Sequence, residues 1–289
     1  MRTTIAVLSL GWLISGSAAL ASEATCPGNN NALGVSRVVE INTEGGPGFG
    51  FEHYKVYDFL APGEVVLTFD DGPLPGRTRA VLKALASHCT KGIFFPVGKL
   101  VVGYPEVLKE VANQGHTVGS HTWSHVKLFK MKTEQAKDEI EKGFSAVRLA
   151  VGDAAASFFR FSYLKDTPDL IAHLGKRNVA IFSTDIDSFD FKFKSPKKLI
   201  RRILAKLKRK GKGILLFHDI QPVTVKALPA LLKALKSKGY KVVQLKSKDS
   251  IKTLPNYDAE VAKTFKGRLA NAGGRPLSAV VRTISIITQ

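Results

Sequence analysis

Short apolar runs alternate with amphipathic segments along most of the chain. The apolar runs are rich in β-branched or aromatic residues and too short for helices, which favours buried strands. They lie at residues 65–69, 93–97, 117–120, 180–183, 214–217 and 241–245. Helical spacing of apolar residues lies at 77–87, 105–114, 133–149, 196–210 and 225–238. Six or seven strand–helix repeats predict an α/β fold with a mainly parallel sheet, either open or closed into a barrel.

The two ends of the chain lack this alternation. Residues 22–63 are rich in Gly, Pro and Asn, and we expect an irregular N-terminal lead-in there. Residues 251–289 form a C-terminal extension of unknown role with only a weak pattern. Because no linker divides residues 64–250, this stretch is predicted to be one domain.

Residues 1–21 have the pattern of a secretory signal peptide. Arg2 precedes an apolar run over residues 5–14, and a cleavage motif of small residues ends at Ala21. The run is shorter than the about 20 apolar residues that span a bilayer. We therefore expect a periplasmic or secreted protein whose mature chain starts near Ser22.

The two cysteines of the chain, Cys26 and Cys89, would both enter an oxidising compartment. A disulfide between them would tie the lead-in to the core of the domain. Alternatively, Cys89 is a buried apolar thiol and Cys26 is free. The sequence leaves both possibilities open.

The composition is that of a globular protein, but the charge is unusual. With 44% hydrophobic and 23% charged residues, low complexity and general disorder are excluded. Of the net charge of +19, residues 192–252 hold +17, from 19 Lys or Arg against two Asp. This basic face is predicted to contact an anionic polymer or a membrane surface, or else to be a solvated helix face. Nucleic acid is not an expected partner, because no nucleic-acid-binding motif is present.

Polar residues cluster directly after the predicted strands, where α/β folds bind their ligands. Four strands are followed in this way, by Asp70 and Asp71, by His121 and His125, by Asp185, Asp187 and Asp190, and by His218 and Asp219. Each cluster alone also fits a simple turn or a buried histidine. Four clusters at equivalent positions favour one shared site.

The residue types in these clusters suit metal-assisted hydrolysis of an amide or ester. On a helical turn, the spacing of His121 and His125 puts both rings on one face, where they can share a metal. Two histidines and one carboxylate bind a catalytic divalent metal, usually zinc, although cobalt, nickel or iron also fit. The second carboxylate of the pair can accept a proton from water, and a further histidine can protonate a leaving amine.

Three motifs in this order resemble the NodB-homology polysaccharide deacetylases, carbohydrate esterase family four. They are TFDDGP at residues 68–73, HTWSH at 121–125 and LFHD at 216–219. The resemblance covers roughly residues 62–250 and implies a distorted (β/α) barrel of about seven strands. It also implies removal of N-acetyl, or less often O-acetyl, groups from a glycan such as a chitooligosaccharide, peptidoglycan or an exopolysaccharide.

The resemblance further implies a role for each matching residue. Asp70 would be the general base, acting on a metal-activated water, and His218 would be the general acid. Asp71, His121 and His125 would bind one divalent metal, Zn²⁺ or alternatively Co²⁺ or Ni²⁺.

Other matching residues would support this machinery. Arg160 matches the arginine that orients the base, and the backbone N–H of Tyr163 would help to bind the oxyanion. Leu216 would line the pocket for the acetate methyl group. Asp190 matches the acidic residue that tunes the general acid, with Asp187 as the alternative.

Two positions depart from the family pattern and concern the substrate groove. The family usually has proline where this chain has Ser162, and tryptophan where it has Phe191. Two other functions therefore stay open, namely hydrolysis of a different amide or imide, and glycan binding with weak catalysis. A glycan substrate predicts an open groove with exposed aromatic residues, whereas a small amide predicts an enclosed pocket.

Overall fold

The computed structural model describes residues 26–270, and the side chains of residues 26–267. The strands are β1 (Arg37–Ile41), β2 (Gly48–Phe49), β3 (Glu64–Asp70), β4 (Ile93–Phe95), β5 (Thr117–Ser120), β6 (Ala155–Phe159), β7 (Ala180–Phe182), β8 (Ile186–Asp187), β9 (Gly213–His218) and β10 (Lys241–Ser247). The helices are α1 (Pro75–Ser87), α2 (Gly98–Gly103), α3 (Pro105–Asn113), α4 (Thr133–Val151), α5 (Pro168–Lys176), α6 (Pro196–Lys210), α7 (Pro222–Ser237) and α8 (Pro255–Ala270). Across these described residues, no helix is long and apolar enough to cross a membrane. The predicted signal peptide lies outside the described residues.

Eight strands form one curved parallel sheet in the order β8-β9-β3-β4-β5-β6-β7-β2. The two edge strands, β8 and β2, do not pair in a ladder. Instead, the N–H of Phe51 donates to the carboxylate of Asp185 at 2.7 Å, and the N–H of Glu52 donates to the carbonyl of Thr184 at 3.0 Å. These bonds link the two edges, so the sheet is a distorted barrel. The predicted α/β class and barrel are confirmed.

Strand β10 covers the end of the barrel at which the strands begin. It pairs with the first residues of β3 on one side and with β1 on the other. The hydroxyl of Thr117, at the start of β5, donates to the carbonyl of Leu245, and the N–H of Ile251 donates to the carbonyl of Ala155 at the start of β6. The starts of β3, β5 and β6 are therefore covered by β10 and the segment that follows it.

The strands are buried on both faces, which explains why they appear in the sequence as continuous apolar runs. In β3 all seven residues are buried. Alternate residues such as Val66 belong to a cluster inside the barrel, and Val65, Leu67 and Phe69 belong to the larger cluster under the helices. Because side chains alternate with a period of two, Asp70 shares the inner face with Val66.

Parts of the structure were not expected from the sequence. The lead-in contains β2, an edge strand of the eight-stranded sheet, and β1, which pairs with β10. The C-terminal extension contains α8, in which Val261 is buried in the main core and Tyr257 donates to Asp138 of α4 at 2.5 Å. Strand β6 and helix α5 were also not predicted.

A disulfide joins Cys26 to Cys89 across 63 residues of sequence. The sequence analysis left this bond and a free Cys26 as alternatives, and the disulfide is confirmed. It fixes the first described residue to the loop after α1. Asn29 adds a side-chain hydrogen bond to the carbonyl of Ser87 at 2.7 Å. The start of the lead-in is therefore held on the outside of the helical layer.

Removal of the disulfide is expected to destabilise the fold. A loop of this length corresponds to about 4 kcal/mol of closure entropy, and the loss of native disulfides typically costs about 2–5 kcal/mol. We expect the double variant Cys26→Ser, Cys89→Ser to lose a free energy of unfolding in that range, measured by guanidinium denaturation. Reductant should lower the denaturation midpoint of the native protein by the same amount and should not change the midpoint of the double variant. An unchanged midpoint in the variant would contradict this expectation.

Candidate active site

The polar residues singled out in the sequence meet at the open end of the barrel. The register pairs Asp70 of β3 with His218 of β9 and with Phe95 of β4. On the inner face of β3, the side chains change from apolar residues to Thr68 and then to Asp70 at the end of the strand. On the inner face of β9, Leu216 is likewise followed by His218. Arg160 directly follows β6. The barrel interior is therefore apolar below and charged at its mouth.

Asp71, His121 and His125 form a cluster able to hold a metal ion. One ligand atom from each lies within 4.8 Å of the others, and all three residues are buried. Oδ1 of Asp71 is 3.7 Å from Nε2 of His121 and 3.4 Å from Nε2 of His125. Both carboxylate oxygens of Asp71 lack a hydrogen-bond partner. Buried carboxylate oxygens without a partner are costly, and a bound cation would satisfy them.

The orientation of the His121 ring is fixed by a backbone carbonyl. Nδ1 of His121 is 2.7 Å from the carbonyl oxygen of Arg160. Because a carbonyl only accepts, Nδ1 must carry the proton, and Nε2 is left with its lone pair facing Asp71. Burial also lowers the pKa of His121 well below its usual value. The ring is thus neutral and ready to act as a ligand.

The two histidines are brought together by a strained loop, not by the helical turn that their spacing suggested. Thr122 and His125 have φ values of 68° and 56°, in the left-handed region. The loop is held from outside by α4, whose Glu139 accepts hydrogen bonds from the N–H and hydroxyl of Ser124 at 2.9 Å each. The carbonyl of Glu139 also accepts from the N–H of Trp123 at 2.8 Å.

Asp70 and Arg160 form a fully buried ion pair beside the metal cluster. Nη1 of Arg160 donates to Oδ1 of Asp70 and to the hydroxyl of Thr68, each at 2.7 Å. Nη2 and Nε donate to the carbonyls of Ser183 and Phe182. Burial raises the pKa of Asp70 to about 6, although the charge of Arg160 opposes the rise.

His218 and Asp190 form a second buried pair beside the cluster. Nδ1 of His218 is 2.6 Å from Oδ1 of Asp190, whose Oδ2 also accepts from the N–H of His218. Burial lowers the pKa of His218, but the hydrogen bond to Asp190 and the charges of Asp190, Asp71 and Asp70 outweigh this effect, and the net pKa is raised to about 10. Nε2 of His218 lies 4.0 Å from Asp71. Asp187, the alternative partner, instead accepts from the N–H of Phe189.

The expected groove residues surround these pairs. The Tyr163 ring lies 5.0 Å from that of His125, and its φ of 62° is again left-handed. The Phe191 ring lies 5.7 Å edge-on from that of His218. Leu216 is buried two residues before His218 on the same side of β9. Asp185, another residue of the sequence cluster, only supports backbone N–H groups and lies outside the site.

Asp219 is a buried residue whose role was missed. Its carboxylate accepts hydrogen bonds from the N–H of Gly72 at 2.9 Å and from the hydroxyl of Thr78. A Cβ atom on Gly72 would collide with this carboxylate, so a larger residue in the turn after Asp71 would force Asp219 to shift. Burial raises the pKa of Asp219 to about 7. Its position beside His218 in the motif was the only sequence signal.

Known proteins share these motifs and this fold. The model of the polysaccharide deacetylase family matches residues 60–180. A chitooligosaccharide deacetylase from Bradyrhizobium is 31% identical over 199 residues, covering 64% of this chain and 90% of that protein. The chain belongs to the polysaccharide deacetylase family. Within this family, the peptidoglycan-N-acetylglucosamine deacetylase PgdA of Listeria monocytogenes is 32% identical over 181 residues, covering 63% of this chain and 38% of that protein.

Among solved structures of polysaccharide deacetylases, a peptidoglycan deacetylase of Bdellovibrio bacteriovorus is similar to this chain. The TM-score is 0.67 at 36% identity, covering 74% of this chain and 59% of that one. This chain thus spans less than two thirds of the Listeria and Bdellovibrio proteins. The family match includes Asp70, Asp71, His121, His125 and Arg160 but ends before Asp190 and His218. The fold brings these last two residues to the same site.

Loss of the Arg160 side chain is expected to destabilise the fold strongly. In Arg160→Met, the carboxylate of Asp70 would stay buried without a cation, a situation that costs about 3–5 kcal/mol. Chemical denaturation should show a loss of that size. The exposed pair of Arg79 and Glu110 provides the control, because Arg79→Met should cost less than about 1 kcal/mol.

A double variant separates charge from packing. Asp70→Asn combined with Arg160→Met should be more stable than Arg160→Met alone, because the uncompensated carboxylate is gone. Two results would show that the buried ion pair is no more important for stability than an exposed pair. Arg160→Met would lower the free energy of unfolding no more than Arg79→Met does, or the double variant would be less stable than Arg160→Met.

Proposed function

We propose that the chain is an exported, metal-dependent deacetylase that hydrolyses N-acetyl groups, or O-acetyl groups, on a polysaccharide or oligosaccharide. Family membership supports the reaction class. The observation that carries the proposal is the arrangement of two buried ion pairs beside one candidate metal cluster. Asp70 pairs with Arg160, His218 pairs with Asp190, and Nε2 of His218 lies 4.0 Å from Asp71 of the cluster. A protein that only binds glycan needs neither a base nor an acid at this position.

The residues present fit a divalent metal. Asp71, His121 and His125 would hold it, as three ligands that leave further positions open. Two imidazoles and a carboxylate suit Zn²⁺, and Co²⁺ or Ni²⁺ are also compatible. A metal bound here would act as a Lewis acid toward the carbonyl of the acetyl group.

In the proposed mechanism, Asp70 is the general base. Oδ1 accepts from Arg160, which leaves the second carboxylate oxygen to take a proton from the attacking water. The water oxygen then bonds to the carbonyl carbon. Arg160 is fixed by four acceptors and so orients the base. A pKa raised to about 6 lets Asp70 act as a base near neutral pH.

His218 completes the proposed reaction as the general acid. As the C–N bond breaks, His218 donates its Nε2 proton to the leaving amine, and acetate is released. Asp190 at Nδ1 keeps the imidazole protonated before this step, consistent with the raised pKa of His218. The N–H of Tyr163 would bind the oxyanion, and Leu216 and Phe191 would contact the acetyl group and the sugar.

Export is supported by the disulfide and by the N-terminal sequence. A Cys26–Cys89 bond is typical of proteins outside the cytoplasm. We therefore propose a periplasmic or secreted enzyme, with acetylated glycans such as peptidoglycan, chitooligosaccharide or exopolysaccharide as substrates. The basic face would contact an anionic polymer, because α6 exposes cationic side chains, among them Lys197, Arg201 and Lys208.

Removal of the metal is expected to abolish acetate release. Purified mature protein would be assayed on N-acetylglucosamine oligomers, peptidoglycan and O-acetylated xylan, with and without a chelator. Release should disappear with the chelator and return with Zn²⁺ or Co²⁺. Asp71→Asn should bind less metal and should not recover. Full turnover by protein shown to be metal-free would refute the proposed metal dependence.

Substitution of the proposed base or acid should lower kcat and leave the metal in place. General acid–base catalysis contributes about 10²–10⁴-fold, so Asp70→Asn and His218→Gln should each reduce kcat by that factor. Matched controls are Asp153→Asn and His173→Gln, whose side chains pair with Arg148 and Glu141 away from the site. Metal content would be measured for all four variants. Unchanged kcat in either site variant would exclude the assigned role.

A further inference from the structure

Three cationic side chains surround one aromatic ring at the rim of the site. From the ring centroid of Phe189, Nζ of Lys192 lies at 4.8 Å, Cζ of Arg202 at 5.0 Å and Nζ of Lys206 at 5.5 Å. We name Phe189, Lys192, Arg202 and Lys206 the cationic shelf. One cation on an aromatic face is favourable, but three cations at one ring also repel one another. The shelf is therefore short of negative charge.

Within the described residues, few negatively charged groups balance the positive charge of the cationic shelf. Lys192 and Arg202 form no ion pair there, and Nε of Arg202 is buried without a hydrogen-bond partner. Lys206 donates to the carbonyl of Asp187 at 3.3 Å, and the carboxylates of Asp187 and Glu52 act on it from a longer range. Burial and the nearby charge of Arg202 lower the pKa of Lys206. An unpaired guanidinium and an unpaired ammonium thus lie together.

The shelf adjoins the proposed general acid. The Phe191 ring lies 5.7 Å from the ring of His218, and the Phe189 ring lies 6.0 Å from that of Phe191. Nζ of Lys192 is also 5.7 Å from the Phe191 ring centroid. A glycan with its acetylated sugar at His218 would therefore reach the shelf with the adjacent sugar.

We propose that Lys192 and Arg202 bind a carboxylate on the sugar next to the one that is deacetylated. The enzyme would then select a carboxylate-bearing glycan over a neutral glycan of the same length. The guanidinium fork matches the two oxygens of a carboxylate, and the ring of Phe189 holds both cations in place before binding. This inference rests on the proposed function for the position of the acetylated sugar.

Binding of two tetrasaccharides tests the inference. One probe is the neutral N-acetylglucosamine tetramer, and the other is a peptide-free peptidoglycan tetramer with a lactyl carboxylate on every second sugar. Their Kd values would be measured by calorimetry on Asp70→Asn protein, so that turnover does not interfere. We expect the anionic probe to bind at least about 10-fold more tightly, a difference of about 1.4 kcal/mol.

Matched variants separate the shelf from the general positive charge. Adding Lys192→Gln and Arg202→Gln should remove the preference and leave the affinity for the neutral probe unchanged. Adding Arg79→Gln and Lys83→Gln removes the same two charge types from exposed positions of α1, outside the basic face, and should keep the preference. If the Arg202 variant does not fold, Lys192→Glu alone changes only an exposed side chain and should reduce the preference at least several-fold.

Two results would overturn the inference, namely equal affinity for both probes and an equal loss in both pairs of variants. Acetate release by the native enzyme from the neutral tetramer reports separately on the proposed function. If acetate is released but the anionic probe is not preferred, only the proposed binding of a carboxylate by the cationic shelf is refuted. Absence of release from either probe defeats the proposed function, while the Kd comparison still decides whether the shelf binds carboxylates.

Discussion

The rest of the site depends on one buried guanidinium, that of Arg160. A fully buried arginine is tolerated only where its donors are satisfied, and here they reach two carbonyls at the end of β7, the hydroxyl of Thr68 and the carboxylate of Asp70. Its Cζ atom lies 4.4 Å from the ring centroid of Phe95, which belongs to the apolar cluster inside the barrel. Its own carbonyl fixes the His121 ring. One residue thus connects the apolar interior of the barrel with the proposed base and with a proposed metal ligand.

Strained turns complete the constellation, and distant contacts maintain them. Asp71, His125 and Tyr163 all have left-handed φ values, which cost about 1–3 kcal/mol each for such residues. The turn after Asp71 is tied down by Asp219, and the loop before His125 by Glu139. The stable barrel and its helices therefore hold the ligand atoms within a few ångströms of one another.

Much of the fold was accessible from the sequence, because parallel strands buried on both faces form continuous apolar runs. The predicted strands correspond to β3, β4, β5, β7, β9 and β10. Strand β6 (Ala155–Phe159) was missed because Ala and Ser indicate strands poorly, and it is a strand because the barrel buries it completely. Strands β1 and β2 were missed because their partners, β10 and β7, lie more than 100 residues away.

The sequence by itself determined which donors and acceptors the site contains, because motifs at strand ends converge wherever parallel strands are neighbours. The residue types alone indicated a metal site but left open whether Asp70 or Asp71 would be the ligand, and the resemblance to the family selected Asp71 with His121 and His125. The family resemblance favoured Asp190 over Asp187 as the partner of His218, and Asp190 lies at hydrogen-bond distance from His218. Tertiary structure alone decided that Asp219 secures the turn at Gly72. It also decided that the pKa values of both Asp70 and His218 are raised, and that three cations are grouped at Phe189. The physical reason is that burial and charge act through space, between residues far apart in the chain.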